Sequence, residues 1–178
     1  MMTGLTRNGR PRVVVTGMGA MTPVGENVGD FWDSLIRGRS GLGPMKQADP
    51  TGYPCQISGE VSDFDPEKYI DRREARRMAR FSQLALAACY EAFQDAGITD
   101  GSVDGEKMGV ILGNGAGGFP TIDENMRTLI DKGGMRMTPF FFPMVLSNMA
   151  SGNLSRMFGA LGPSLSLIHI SEPTRPRL

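Results

Sequence analysis

Two glycine clusters are the first places in this chain where residue type and spacing suggest chemistry. Gly113-x-Gly115-x-x-Gly118 follows an apolar run, Met108 to Leu112, and precedes a helical pattern. Taken literally it is a dinucleotide fingerprint, in which backbone N–H groups approach a pyrophosphate. That chemistry needs an acidic residue about 20 positions on, at the end of a second strand, to hold the ribose. Here a helix over about 121–132 leads into Gly133-Gly134, and Asp131 falls in its last turn. Glycines that let a loop cross a crowded sheet edge are the better reading. The earlier cluster, Gly17-x-Gly19-x-x-Thr22, lacks the third glycine, so it is discounted as a nucleotide site.

Other reactive side chains are few. Cys55 and Cys89 are too few for a disulfide scaffold and lack metal-ligand spacing, so both read as reduced thiols, Cys89 as a small core residue. His169 is the one histidine in the sequence. Ser166 and Ser171 flank it, but a serine and a histidine in one short segment lack the third group that orients a base. Arg72, Arg73, Arg76, Arg77 and Arg80 form a basic stretch that reads as a solvated helix end, or as a patch for an acidic carrier.

The elements that must position these residues follow from periodicity. Arg12 to Thr16 and Met108 to Leu112 read as strands buried on both faces, as in a parallel sheet. A helix is expected over about 28–37, with Phe31, Trp32, Leu35 and Ile36 on its core face, Trp32 as an anchor and Gly38 as its stop. The chain from 39 to 67 reads as an irregular surface excursion with one short strand near 55–59. Asp71 and Glu74 form a capping-box-like start to a helix running to about 96, where Ala85, Ala88, Ala92 and Ala96 admit a close neighbour. The helix at 121–132 presents Ile122, Met126, Leu129 and Ile130. Pro139-Phe-Phe-Phe-Pro143 is expected to be extended, its aromatics serving a pocket wall or core filling. A last helix over 144–158 has a thin face at Ala150, Ser151 and Gly152, after which the chain turns toward another strand.

Composition places the chain among α/β proteins rich in tight loops. It has 178 residues, 40% of them hydrophobic, with 24 glycines and 12 prolines. Lysine plus arginine and aspartate plus glutamate number 19 each, so no global field draws it to nucleic acid or an anionic membrane. The first ten residues carry no signal-peptide pattern and no segment has membrane-span length, so a cytoplasmic protein is expected.

Taken together and in order, Val13-Val-Val-Thr-Gly-Met-Gly19, Thr22-Pro23-Val24-Gly25, Trp32, Ser40-Gly41, Gly113-Asn-Gly-Ala-Gly-Gly118, Pro139-Phe-Phe141, Asn148-Met149-Ala150 and Gly162-Pro163-Ser164 resemble the N-terminal part of the β-ketoacyl-acyl-carrier-protein synthases, nearest the type II enzymes of fatty-acid elongation. The resemblance covers 12–164, with 1–11 as a flexible N-terminus. It implies a thiolase-like α/β fold, here the N-terminal half of an α-β-α-β-α arrangement with five-stranded mixed sheets, in a homodimer. It also implies acyl and malonyl thioesters as substrates, acyl-carrier protein as partner, and no cofactor or metal. Such enzymes load an acyl chain on a cysteine thiolate, then decarboxylate malonyl-carrier to a carbanion equivalent that attacks the thioester.

By the same resemblance Gly115, Ala116 and Phe141 line the acyl pocket, Ala116 being smaller than the usual residue there, and Asn148 and Met149 lie near the dimer contact. The nucleophile belongs at position 171, which holds Ser171. The family's catalytic histidines and lysine lie beyond the matched part. The stretch from Leu165 to Arg175 resembles a translated transposon-type sequencing adapter, so 165–178 is expected to be a non-native tail and His169 is given no catalytic role. An alternative within the resemblance is a non-catalytic, chain-length-factor-like partner of a polyketide synthase.

Overall fold

A computed structural model describes residues 6–7, 9–99 and 101–167. Position 171, His169 and all but the first three residues of the expected tail lie outside the described residues.

The chain begins with a small antiparallel hairpin, β1 (Thr6–Arg7) and β2 (Arg10–Pro11). Helix α1 (Val28–Ile36) follows, capped by the Asn27 side chain, which accepts from the Asp30 N–H, and stopped by Gly38 at φ +63°. β3 (Leu42–Pro44) and β4 (Ile57–Gly59) pair antiparallel across the irregular stretch. Then come α2 (Arg72–Ala75), α3 (Arg80–Asp95), β5 (Val110–Gly113), α4 (Phe119–Lys132), α5 (Phe141–Val145), α6 (Met149–Phe158) and β6 (Ser164–Leu167). β5 and β6 are parallel, Val110 opposite Ser164 and Gly113 opposite Leu167.

The core lies where α3 packs on α6 and α6 meets the inner face of the β5–β6 pair. Leu86 of α3 and Leu154 of α6 are buried together with Ile70, Ala75 and Met78, and Val110 and Leu112 close over them from the strand. Phe93 stacks on Phe158 at 4.2 Å, extending the contact to the ends of the two helices. The thin face of α6 is real at Ala150 and Ser151, both buried. Gly152 is not part of it, since a Cβ there would meet nothing within 4 Å.

Several expectations are corrected. Neither apolar run is a doubly buried strand. Residues 12–21 form no strand, and Val13 is 95% exposed. In β5 the burial alternates and Ile111 is 66% exposed, because a two-stranded sheet with helices on one side leaves its other face open. Trp32 does not anchor the core, being 61% exposed along with Leu35 and Ile36. The expected long helix from 71 is two helices, broken by Ala79 in extended geometry (ψ 157°). At its start Asp71 accepts from the Arg73 N–H as expected, but Glu74 pairs with Arg77 and Arg156 instead of reaching back.

The helix expected over 144–158 is likewise two, separated at Leu146 (ψ 130°). Pro139–Pro143 is not wholly extended, for Phe141, Phe142 and Pro143 open α5. Proline is tolerated in a first turn because its missing N–H would have no partner there.

The two cysteines differ in environment. Cys55 is exposed, whereas burial among the core side chains pushes the Cys89 thiol up from its ordinary value. A raised thiol favours the protonated folded state, so its contribution to stability is complete at neutral pH and declines as pH climbs past the unfolded thiol's value of roughly 8.5. Iodoacetamide at pH 8 is expected to modify Cys55 rapidly and Cys89 only on unfolding. Equal rates under native conditions, read by mass spectrometry, would contradict the burial.

Candidate functional site

The glycine loop after β5 is built to meet other backbone. Asn114 organises it: its Oδ1 accepts from the Gly117 N–H at 3.2 Å, and its Nδ2 donates to the Ser147 carbonyl at 3.1 Å. The Ser166 hydroxyl of β6 donates to that same carbonyl at 3.2 Å. Gly117, at φ +68°, and Gly118 lie so close to the end of α5 that added Cβ atoms would stand 2.8 Å from the Val145 carbonyl oxygen and 2.7 Å from that of Met144. The Gly118 N–H donates to the Val145 carbonyl. The Gly117 and Gly118 N–H groups are thus engaged within the protein, in keeping with the loop-crossing reading of the fingerprint.

Gly115 is open, with nothing within 4 Å of the place a Cβ would occupy, and Ala116 is exposed. Phe141 begins α5, half-buried, its ring edge-to-face with Phe142 at 5.3 Å. Gly117, next to Ala116, approaches Val145, which ends the short helix that Phe141 begins. Asn148 is exposed at the start of α6, where its carbonyl accepts from the Ser151 hydroxyl at 2.9 Å, and Met149 is half-buried. Beside the loop a cleft of about 330 Å³ is lined by Gly117, Gly118 and Pro120 on one side and Ala79, Phe81 and Leu84 on the other.

Asn114 was not singled out from the sequence, although an asparagine between two glycines is a recognised signal for a side chain that completes a turn. Asn114→Asp replaces the Nδ2 donor with a carboxylate oxygen facing the Ser147 carbonyl. It is expected to cost about 1–3 kcal/mol, with Asn114→Ala milder; urea denaturation of the two variants checks the order.

The arginine cluster is divided by the fold. Arg80 turns inward, donating to the Val61 carbonyl and lying over the Phe64 ring at 5.6 Å. Arg77 lies over the Phe140 ring at 4.7 Å and pairs with Glu74 at 3.6 Å. Arg72 meets Glu67 at 3.3 Å in an exposed pair. Arg73 and Arg76 are exposed and have no ion-pair partner among the described residues. Together with Asp71 and Phe140, the four outward arginines line an open cleft of about 560 Å³.

A glycine loop seated on the junction of two short helices, beside a parallel strand pair covered by helices, defines the N-terminal half of a thiolase-like α/β fold. Residues 10–168 match the beta-ketoacyl synthase N-terminal domain, and the chain belongs to the β-ketoacyl synthase family. It is 41% identical over 155 residues to 3-oxoacyl-[acyl-carrier-protein] synthase 2 of Synechocystis, covering 87% of this chain and 37% of that protein. With the Coxiella burnetii protein of the same name it is 37% identical over 157 residues, 88% of this chain and 38% of the relative. The chain thus spans a little over a third of the length of these relatives. Among solved structures, the ishigamide ketosynthase/chain length factor superposes with a TM-score of 0.78 at 27% identity, over 87% of this chain and 39% of that one. A type II PKS acyl-carrier protein in complex with its ketosynthase gives 0.70, also at 27% identity, over 85% and 40%. A beta-ketoacyl synthase from Burkholderia phymatum gives 0.71 at 23% identity, over 87% and 39%, a likeness of fold.

Proposed function

We propose that this chain is the N-terminal part of a 3-oxoacyl-acyl-carrier-protein synthase, an acyltransferase that condenses an acyl thioester with malonyl-carrier during fatty-acid elongation. The match of residues 10–168 to the family domain, joined to 41% identity with a 3-oxoacyl-[acyl-carrier-protein] synthase 2, carries the reading. In the whole enzyme a cysteine stands at position 171, activated at a helix N-terminus that favours its thiolate. Donors to the developing oxyanion and neutral imidazoles come from the C-terminal half. Gly115, Ala116 and Phe141 line the acyl channel, and Asn148 and Met149 approach the second copy of a cytoplasmic homodimer. The exposed apolar faces of α1, α4 and β5 are then surfaces that the rest of the enzyme covers. Arg72, Arg73 and Arg76 receive the acidic surface of the carrier protein.

The sequence after about Ser164 is proposed to depart from that of the enzyme. Leu165, Ser166 and Leu167 still pair with β5, since an alternating Leu-Ser-Leu is strand-competent whatever its origin.

The 178-residue chain is expected to show no condensation of acyl and malonyl thioesters. A frame read from the source gene across the Ser164 codon is expected to continue into Thr-Ala-Cys with two histidines downstream and to be active. Condensation by the 178-residue chain would overturn the assignment of the nucleophile. A second reading, a chain-length-factor-like partner without the cysteine, is kept because of the likeness to the ketosynthase/chain length factor structure. A continuous frame with another residue in place of that cysteine would select it.

A further inference from the structure

The arginine cleft and the aromatic turn share one side chain. Arg77 extends its guanidinium over the Phe140 ring, 4.7 Å from the centroid, while its Nη1 lies 3.6 Å from Glu74. Glu74 is fixed in turn by Arg156 of α6, so the carboxylate that orients Arg77 is tied to the core helix. Phe140 is the N-cap residue of α5: its carbonyl accepts from the Met144 N–H at 3.0 Å, and the next residue is Phe141. Arg77 and Phe140 both line the open cleft with Arg72, Arg73 and Arg76. A planar guanidinium stacked on an aromatic face is a directional contact that a lysine reproduces poorly.

We infer that Arg77 is a positioning residue which holds Phe140, and with it the start of α5, and that an acidic protein surface entering the arginine cleft draws this guanidinium away and shifts the Phe141–Phe142 pair. The coupling rests on the carrier-docking reading above; the positioning of Phe140 does not. Physically, a carboxylate in the cleft competes with the ring and with Glu74 for the same planar donor. The Arg77 side chain remains about one-third exposed and so is within reach of such a partner.

The test uses the 178-residue chain with isotope-labelled phenylalanine rings, whose nine residues give a countable aromatic spectrum. Phe140→Leu assigns the key resonance. Arg77→Met is expected to shift the Phe140 and Phe141 ring signals while leaving the stacked Phe93 and Phe158 in place, which also shows that the core is intact. Arg77→Lys should give a smaller shift in the same direction. An unmoved Phe140 signal in Arg77→Met, with an intact core, overturns the positioning role. Purified acyl-carrier protein is then added to the unsubstituted chain. Movement of Phe140 along the direction set by Arg77→Met supports the coupling, and carrier bound with Phe140 unmoved overturns it. Absence of carrier binding refutes the docking reading and the coupling with it, leaving the positioning to be judged by the variants alone.

Discussion

Leu154→Ala is expected to lower the unfolding free energy by about 2–5 kcal/mol, the range for deleting a buried leucine side chain in a packed core. Leu154 is 2% exposed and belongs to the cluster of Ile70, Ala75, Met78 and Leu86, so truncation leaves a cavity lined from α2, α3 and α6 at once. α3 and α6 pack directly on each other and α6 meets the two-stranded β5–β6 sheet, so the contact at Leu154 joins the main parts of the fold. Against a typical domain stability of about 5–15 kcal/mol, the loss removes a large share of what keeps the chain folded. Met157→Ala, on the same helix but with a partly exposed side chain, serves as the control and should change the urea midpoint far less. A loss at Leu154 no greater than at Met157 would mean that the α3–α6 contact is not the centre of the fold.

Gly19→Ala is expected to be the next most damaging change. A Cβ at Gly19 would lie 1.8 Å from the Ala88 carbonyl oxygen, and one at Gly17 would lie 2.2 Å from that of Ala92. Both obstacles are backbone of a core helix, which cannot swing aside as a side-chain end can. The segment is seated there by acidic side chains of α3: Asp95 accepts from the Met18 N–H at 2.9 Å, and Glu91 accepts from the N–H groups of Ala20 at 2.9 Å and Val28 at 2.8 Å. An alanine must therefore lift the segment off the helix and break those bonds, at about 1–3 kcal/mol for overpacking. That corresponds to roughly 2–4 °C in Tm for each kcal/mol in a chain of this size. Limited proteolysis should cut between 12 and 27 sooner in the variant. Gly152→Ala, where a Cβ meets nothing, is expected instead to stabilise α6 by about 0.5–1 kcal/mol. Equal behaviour of the two variants would show that the N-terminal segment does not rest on α3.

These two expectations show how differently parts of the molecule were legible. The alanines at 88, 92 and 96 announced a close neighbour, whereas Gly17 and Gly19 were legible only as an incomplete nucleotide pattern. Their meeting could not be read from either stretch alone, since about 70 residues of chain lie between them. Phe119–Lys132 and Val28–Ile36 matched their helical periodicity closely. The breaks at Ala79 and Leu146 carry no glycine or proline of their own, so nothing local marked them. At the glycine loop, the residue types gave the literal dinucleotide pattern, and only the approach of Met144 and Val145 showed what the small residues accommodate.

The sequence by itself determined the family, because a colinear set of glycines, prolines and aromatics spread from Val13 to Ser164 is far more specific than any one motif. It also determined the amphipathic character of α1 and α4, which depends only on neighbours a few positions apart. Tertiary structure decided which faces are covered. Trp32 and Ile130 look like core residues by pattern yet lie exposed, since burial depends on what packs against a face and the described residues supply nothing there. It decided, too, how the arginines divide between Phe64, Phe140 and solvent, because the direction of a long charged side chain is set by partners from distant parts of the chain.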